Sequence, residues 1–292
     1  MTLAQTATAP RAKGPLVWMN MDQKELDDAY DQLVYAPNRD QIIARMIRNS
    51  ALVRERLGKP LRFSYGPSEV EALEVFKSPR SGSPVHVYIH GGAWRFRSAA
   101  EYSFAAEMFV QRGAHYVVPD FIGVVEAGGN LFTMAEQVRR AVDWVCRNAE
   151  RFGGDPQRIY VSGSSSGAHL AAVLATTDLP VKGYVLTSGM YDLRGPRLSK
   201  RSAYVAFTDE IEAALSPQRH LHGIRAPIVL VYGTLETPEF QRQSREFAEA
   251  LRKAGKPVEL VVAEHYNHFE VAETMGNPYG PVGREILRQM GL

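Results

Sequence analysis

The stretch around Ser165 constrains the fold more than any other part of this 292-residue chain. A β-branched and aromatic run at 159–161 predicts a short buried strand, and an alanine-rich segment at 167–175 predicts a helix. Between them, Gly163, Ser165 and Gly167 form the pattern Gly-x-Ser-x-Gly. A serine on so sharp a turn needs glycines on both sides, because the backbone passes close to it there. The chain is therefore predicted to present a strained, projecting serine between a strand and a helix.

Three consecutive serines occupy positions 164–166, so spacing has to identify the functional one. Only Ser165 has a glycine both two residues before it and two residues after it. This choice places the Ser166 amide at the start of the helix, where unpaired N–H groups face a developing negative charge. The alternative interpretation is a glycine- and serine-rich turn that carries no chemistry.

Strands and helices alternate along most of the chain, which predicts the α/β class. Short buried strands separated by helices indicate a mostly parallel sheet with helices on both faces. Before this alternation we expect two helices, at 22–32 and 39–57, and an antiparallel hairpin at 61–76. The strand candidates of the parallel part are 85–89, 115–119, 159–162, 181–187, 228–232 and 258–262. Functional residues are then expected in the loops at the carboxyl ends of these strands.

The domain organisation is predicted to be simple. Residues 1–14 are expected to form a flexible tail, and 15–292 a single domain, because no linker or repeat divides the chain. The segment 194–223 interrupts the alternation and is about the size of a small cap, with a helix at 209–215 introduced by Thr208. A surface excursion without a capping role is the other interpretation of this insertion.

Composition and charge narrow the classes of partner. The formal net charge is +2 with acidic and basic residues interspersed, so nothing favours nucleic acid or an anionic membrane, and a small molecule is the expected partner. The single cysteine, Cys146, lies on an apolar helical stripe and is expected in the core. With no apolar run of membrane-spanning length and no signal-like segment, a cytoplasmic location is expected. The oligomeric state stays open, and a homodimer is one of the states the sequence allows.

A serine is a poor nucleophile at neutral pH and needs a base that is oriented by an acid. His268 follows the last predicted strand and is the expected base, with His265 as the alternative. Glu236 follows the strand at 228–232 and is the expected acid, with Asp192 as the alternative. The chain order serine, acid, histidine is the order found in α/β-hydrolases.

The stretch His90-Gly91-Gly92 directly follows the strand at 85–89 and predicts an oxyanion hole. A tetrahedral oxyanion needs preorganised N–H donors, and the amides of Gly91, Gly92 and Ser166 are the expected ones. No H-x-x-x-H spacing lies on a predicted helix and no C-x-x-C occurs, so no metal site and no cofactor are expected. A binding module without turnover and a metal-dependent amidohydrolase are the rival classes.

Aromatic residues near the strand carboxyl ends are the candidates for a substrate pocket. The five expected pocket residues are Trp94, Phe96, Phe121, Tyr191 and Tyr266, and further aromatic candidates are Phe132, Tyr204 and Phe207. Arg95 and Arg97 are interpreted as a solvated pair in preference to a site for a substrate carboxylate.

With these motifs in order, the chain resembles the α/β-hydrolase superfamily, and within it arylformamidases and their bacterial esterase relatives. The resemblance rests on His90 to Trp94, Gly167 to Ala172, Ser188 to Leu193, Pro238 to Ser244 and His268 to Glu270. It implies an α/β-hydrolase fold without a cofactor, in which Ser165 is the nucleophile, His268 the base and Glu236 the acid. It also implies hydrolysis of a small aryl formamide or another amide, with a carboxylic ester as the alternative.

Three residues differ from the pattern of these families. Ser164 stands where a histidine is usual, Glu236 where arylformamidases usually have aspartate, and Ala93 where tyrosine or glycine is common. Glutamate performs the same role as aspartate with one more methylene. Ser164 and Ala93 are expected to alter the wall of the pocket.

Overall fold

An eight-stranded sheet forms the centre of the computed structural model, which describes residues 11–95 and 97–292. The strand order across the sheet is β10-β9-β8-β7-β5-β6-β4-β3, and a separate two-stranded ribbon joins β1 and β2. The strands are β1 (Leu16–Trp18), β2 (Met21–Asp22), β3 (Leu61–Ser64), β4 (Ala72–Phe76), β5 (Ser83–Ile89), β6 (His115–Pro119), β7 (Gly154–Ser164), β8 (Gly183–Thr187), β9 (Ile228–Gly233) and β10 (Val258–Ala263).

The sheet is mostly parallel, as predicted. Strands β5 to β10 all run parallel to one another. At the edge of the sheet, β4 pairs antiparallel with β6, and β3 pairs antiparallel with β4. The predicted hairpin is therefore present and forms one edge of the sheet. The carboxyl ends of the five adjacent strands β10, β9, β8, β7 and β5 meet along one side.

Helices and two apolar clusters cover the faces of the sheet. Val87 belongs to one cluster and its neighbour Tyr88 to the other, because side chains alternate across a strand. The helices are α1 (Gln23–Ala29), α2 (Gln32–Tyr35), α3 (Arg39–Leu57), α4 (Ala106–Gln111), α5 (Leu131–Asn148), α6 (Ser166–Ala175), α7 (Arg194–Leu198), α8 (Asp209–Ala214), α9 (Pro238–Lys253), α10 (His268–Glu273) and α11 (Pro281–Met290). Residues with strand periodicity thus pack between helices on both sides, which gives the predicted layers.

One helix prediction needs correction and another is confirmed. The expected helix at 22–32 is divided into α1 and α2, because the Asp31 side chain accepts a hydrogen bond from the Leu33 amide and starts a new helix. The predicted helix at 209–215 is confirmed as α8, with the Thr208 hydroxyl as its N-cap.

The expected N-terminal tail falls mainly outside the described residues. Positions 11–14 are described, and there the Gly14 amide donates to an Asp22 carboxylate oxygen at 2.7 Å, with the Arg11 guanidinium paired to the same oxygen at 2.5 Å. Contacts with the folded body therefore begin before position 15. No helix of the described chain has the length and apolar character that crossing a membrane requires.

Candidate active site

The Ser165 turn joins β7 to α6 in a strained backbone conformation. Ser165 has φ +56° and ψ −124°, a region that a residue with a side chain rarely adopts. Its amide donates to the Thr187 carbonyl at 2.9 Å, and its carbonyl accepts from the His169 amide at 3.1 Å. The turn is thus fixed on one side by β8 and on the other by the first turn of α6.

The two flanking glycines are required by close backbone contacts. A Cβ at Gly163 would lie 2.5 Å from the Gly167 carbonyl oxygen, and one at Gly167 would lie 2.1 Å from the Ile89 carbonyl oxygen. Real Cβ atoms do not approach backbone this closely, so any larger residue would displace the turn. The sequence pattern therefore reflects packing of β5 against the start of α6.

His268 and Glu236 form a buried hydrogen-bonded pair. The distance from His268 Nδ1 to Glu236 Oε2 is 2.7 Å, and the two side chains are 6% and 0% exposed. His268 is the first residue of α10, directly after its N-cap Asn267. Glu236 lies in the short turn between β9 and α9. The sheet thus brings together two residues that are 32 positions apart in the chain.

The other oxygen of the Glu236 carboxylate accepts two further hydrogen bonds. The Ser188 hydroxyl donates to Oε1 at 2.5 Å, and the Gly233 amide donates to the same oxygen at 2.7 Å. Ser188 directly follows β8 and has φ +55°. Both donors fix the plane of the carboxylate, which leaves Oε2 directed at the imidazole.

Ser165 and His268 line the same pocket, which has a volume of about 960 Å³. Within 11–95 and 97–292, no hydrogen bond joins the Ser165 hydroxyl to His268. Catalytic hydrogen bonds are often long before substrate binds and form when a side chain rotates. The arrangement places the hydroxyl and the imidazole at one cavity without a direct bond between them.

The loop after β5 approaches the Ser165 turn closely. A Cβ at Gly91 would lie 2.7 Å from the Ser164 carbonyl oxygen and 3.2 Å from Ser165 Cβ, so only glycine fits. Gly92 has φ +124°, and the next residues, Ala93 and Trp94, also have positive φ values of +57° and +61°. Such consecutive strained residues mark a tight loop, and both glycines line the pocket.

Ser166 is the first residue of α6, and its side chain is 2% exposed. A residue at that position has no partner for its amide within the helix, so this N–H is available at the Ser165 turn. Of the three predicted oxyanion donors, Gly91 therefore packs against the Ser165 turn, Gly92 lines the same pocket as Ser165, and Ser166 directly follows Ser165.

Two buried histidines support this loop. His90 donates from Nδ1 to the Gly91 carbonyl at 3.1 Å and stacks on Phe121 with ring centroids 4.2 Å apart. His169 accepts from Trp94 Nε1 at 3.0 Å and donates from Nε2 to the Leu215 carbonyl at 2.8 Å. Burial lowers the pKa of each histidine to about 4, so both are neutral at pH 7.

The alternative base and acid lie elsewhere. His265 is exposed, lines a separate surface depression, and has φ +65°. Asp192 accepts hydrogen bonds from the Arg194 amide and the Arg219 guanidinium. Neither contacts the pair formed by His268 and Glu236 in the described part of the chain.

The expected aromatic pocket residues need correction. Trp94 is 1% exposed because its ring packs edge-on against His169, and Phe121 is 3% exposed beneath His90. Tyr191 is fully buried against Phe247. These three rings belong to the core around the loops and do not line the pocket.

Two further pocket predictions have different outcomes. Tyr266 lines the same surface depression as His265, away from Ser165. Phe96 lies outside the described residues. Of the further aromatic candidates, Tyr204 does line the pocket.

Most of the pocket wall comes from segments that carry no motif. The N-terminal helices and the insertion supply most of it, namely Tyr30, Asp31, Gln32, Leu33, Arg39, Asp40, Ile43, Met46, Ile47, Lys200, Arg201, Ala203 and Tyr204. Apart from Tyr204, the only sequence signal for these residues is the pair Ile43 and Ile47, one helical turn apart, with Ile47 43% exposed.

No group of three or more His, Cys, Asp or Glu side chains that could hold a metal ion occurs among the residues the structure describes. The polar groups at the Ser165 turn are instead a hydroxyl, an imidazole–carboxylate pair and backbone amides. Such a set supports acyl transfer by proton movement and oxyanion binding.

Comparisons with known proteins agree with the fold. The BD-FAE family model matches residues 73–187. Among solved structures, esterase LipW from Mycobacterium marinum superposes with a TM-score of 0.70 at 19% sequence identity, covering 90% of this chain and 89% of that chain. The chain has the α/β-hydrolase fold.

Relatives of the hydrolase include a formamidase and esterases. Kynurenine formamidase from Danio rerio is 29% identical over 295 residues, covering 94% of this chain and 98% of that protein. Esterase LipQ from Mycobacterium tuberculosis is 28% identical, covering 72% of this chain and 57% of that protein. The hydrolase is accordingly an enzyme of the α/β-hydrolase type.

Proposed function

We propose that the hydrolase is a serine hydrolase that cleaves the amide bond of a small aryl formamide or anilide through an acyl-enzyme. Ser165 is the nucleophile, His268 the general base and Glu236 the orienting acid. The observation that carries this proposal is the pocket shared by the strained Ser165 and by His268, whose imidazole is hydrogen-bonded to the buried Glu236.

Glu236 determines which imidazole nitrogen carries the proton. Its Oε2 accepts from His268 Nδ1, while its other oxygen is occupied by the Ser188 hydroxyl and the Gly233 amide. The neutral imidazole is thereby held with the proton on Nδ1 and with Nε2 as an acceptor. That tautomer is the one able to remove a proton from a hydroxyl.

In the first step, the Ser165 Oγ attacks the substrate carbonyl carbon and His268 Nε2 takes the hydroxyl proton. The carbonyl π electrons move to oxygen, and the resulting oxyanion accepts hydrogen bonds from the amides of Gly91, Gly92 and Ser166. The C–N bond then breaks as the electrons return to form the carbonyl. His268 transfers its proton to the leaving amine, and the acyl group remains on Ser165.

In the second step, water replaces the amine. His268 takes a proton from the water, the hydroxide oxygen bonds to the acyl carbon, and the same amides hold the oxyanion. Collapse breaks the bond between the acyl carbon and Ser165 Oγ, which regains its proton from His268. The products are the amine and the carboxylic acid, and the enzyme returns to its starting state.

The extent of the alignments with the relatives favours an amide substrate over an ester substrate. The alignment with the Danio rerio formamidase spans 98% of that protein, whereas the alignment with LipQ spans 57% of that esterase. A carboxylesterase is the second candidate, because Ser164 stands where arylformamidases usually have a histidine beside the nucleophile. Ser164 lines the pocket and its hydroxyl bonds to the buried Tyr88 hydroxyl at 2.7 Å, so this part of the pocket wall carries a hydroxyl in place of an imidazole.

A rate comparison on matched aryl esters, aryl formamides and acyl anilides tests the proposal. Wild type is expected to prefer the formamide or anilide by kcat/KM, and Ser165→Ala is expected to lose about 10⁴- to 10⁶-fold in kcat on all three. Ser83→Ala is the control, because Ser83 is a buried serine at the amino end of β5 whose hydroxyl bonds to the Arg80 carbonyl.

The outcomes separate the two candidates. Near-wild-type activity in Ser165→Ala would contradict the serine mechanism. An inactive Ser165→Ala together with wild-type turnover of esters alone would establish the carboxylesterase and overturn the amidase.

A further inference from the structure

The charges on the pocket wall do not balance. Five cationic side chains line the pocket, against three carboxylates. Each carboxylate is paired with one of the cations. The pairs are Arg39–Asp40 at 2.6 Å, Arg97–Glu101 at 3.1 Å and Lys200–Asp31. This pairing leaves Arg95 and Arg201 without a carboxylate partner among the described residues.

Arg201 is the more unusual of the two, because it is only 4% exposed. Its Nη1 donates to the Tyr204 hydroxyl and its Nη2 to the Tyr30 carbonyl, both at 3.1 Å. Its Nε is buried and has no hydrogen-bond partner within 11–95 and 97–292. A buried guanidinium that has only neutral partners is costly, and a bound anion would compensate that cost.

Tyr204 connects the two arginines. Its hydroxyl accepts from Arg201, and the Arg95 guanidinium lies over its ring, 5.3 Å from the centroid. Arg201 also lies 5.3 Å from the ring of Trp94, the residue before Arg95. Both cations are therefore held by aromatic faces beside the glycine loop, with side-chain N–H groups left to bind a ligand.

Gln32 adds a second unpartnered polar group to the same wall. Its side chain is mostly buried, and neither its Nε2 nor its Oε1 has a partner in the described part of the chain. Buried amides are normally hydrogen-bonded, so an exception that lines a pocket indicates a group that a ligand satisfies.

We propose that Arg201 and Arg95 form a subsite for a carboxylate on the substrate, beside the bond that is cleaved. This inference rests on the proposed function and specifies its substrate class, a small aryl amide or ester that carries a carboxylate. The planar guanidinium fork matches a carboxylate in a bidentate arrangement. Ile43, Met46 and Phe269 line the same pocket and provide apolar contacts for the aryl group.

Paired substrates test the subsite directly. Meta-acetoxybenzoate and meta-formamidobenzoate are compared with their neutral carboxamides, which have similar size and leaving groups. The readout is the ratio of kcat/KM for the carboxylate to kcat/KM for the carboxamide. Wild type is expected to favour the carboxylate about 10- to 100-fold, the range for a hydrogen bond to a charged group.

Three arginine variants locate the effect. Arg201→Gln is expected to lower the ratio about 10-fold or more, and Arg95→Gln to lower it several-fold. Arg197→Gln is the matched control, because Arg197 lies on the same insertion but pairs with Asp209 and Glu212. Its ratio is expected to equal that of wild type. A wild-type ratio of one or less, or a ratio unchanged in both Arg201→Gln and Arg95→Gln, would overturn the proposal.

A binding measurement separates this inference from the catalytic proposal. Benzoate and benzamide are titrated against Ser165→Ala by calorimetry, without turnover, and benzoate is expected to bind more tightly than benzamide. Arg95→Gln in that background is expected to reduce the difference several-fold, and because Arg95 is exposed this change carries little risk for folding. Equal binding of the two ligands would contradict the subsite even if the serine mechanism holds.

Discussion

At the scale of single residues, the Glu236 carboxylate is the most constrained group of the site. It contacts the His268 imidazole through one oxygen and the Ser188 hydroxyl and Gly233 amide through the other. Ser188 contacts neither the pocket nor the imidazole in the described structure, so its effect on the base passes through the carboxylate. Ser188 is therefore interpreted as a positioning residue.

Ser188→Ala keeps the Cβ and the backbone strain but removes one donor to Glu236. We expect kcat to fall about 10-fold while KM stays within about 2-fold, because one hydrogen bond to a charged group is lost from the acid and none from the pocket. Steady-state kinetics on the preferred substrate measure this. Ser188→Thr, which restores a hydroxyl, is expected to recover part of kcat, and a change confined to KM would contradict the positioning role.

The residues of the proposed triad could be predicted from the sequence, whereas the pocket could not. Ser165, Glu236 and His268 each follow a strand, and the order of strands in a parallel sheet brings such residues to one edge. Trp94 and Tyr191 also follow strands, but whether a loop aromatic points into the core or the pocket depends on neighbours distant in the chain. Arg201 carries no local signal, because its partner Tyr30 is 171 positions away.

At the scale of secondary-structure elements, the N-terminal segment is attached to α9 by a buried carboxylate. Glu239 is 1% exposed and accepts from the Tyr30 hydroxyl at 2.9 Å and from Trp18 Nε1 at 3.2 Å. Arg242 on the next turn of α9 pairs with the same carboxylate at 2.7 Å. This cluster fixes the start of α2, which supplies one wall of the pocket.

Tyr30→Phe tests this attachment. The change removes the hydrogen bond to Glu239 and leaves the Gln243 amide, which donates to the Tyr30 hydroxyl at 2.9 Å, without that acceptor. We expect a loss of about 1–3 kcal/mol in the free energy of unfolding, measured by urea denaturation. Tyr35→Phe is the control, because Tyr35 is 37% exposed. Equal stability of Tyr30→Phe and wild type would contradict a role for this hydroxyl.

The order of elements was predictable because β-branched runs and amphipathic stretches have different periods. The contacts between the N-terminal helices and the insertion could not be predicted, because they depend on single pairs of residues far apart in the chain. In one such pair the Lys200 amide donates to Asp27 Oδ1 at 2.6 Å. The insertion at 194–223 therefore stays a predicted cap. Its described contacts tie it to α1 and α2.

At the scale of the whole molecule, several neutral histidines are built into the core. Burial lowers the pKa of His86 to about 3 and those of His90 and His169 to about 4, below the ordinary value of 6.5. The unfolded chain binds protons at these histidines at a higher pH than the folded protein does. The stability they contribute is complete above about pH 6.5 and is lost as the pH falls towards about 4.

We therefore expect the free energy of unfolding, measured by urea denaturation, to be lower at pH 5 than at pH 7. The expected decrease is about 2 kcal/mol for each buried histidine. His169→Gln, which can still accept from Trp94 and donate to Leu215, is expected to flatten this dependence. His222→Gln, at a more exposed position, is expected to keep the wild-type dependence. An identical pH dependence in wild type and His169→Gln would contradict the assignment.

Ser165, among three adjacent serines, is the proposed nucleophile. Labelling the folded protein with a fluorophosphonate and mapping the adduct by peptide mass spectrometry identifies which serine reacts. We predict one adduct, on Ser165, which forms in wild type and is absent from Ser165→Ala and strongly slowed in Glu236→Gln. An adduct on Ser164 or Ser166, or a folded wild type that does not react, would contradict the account.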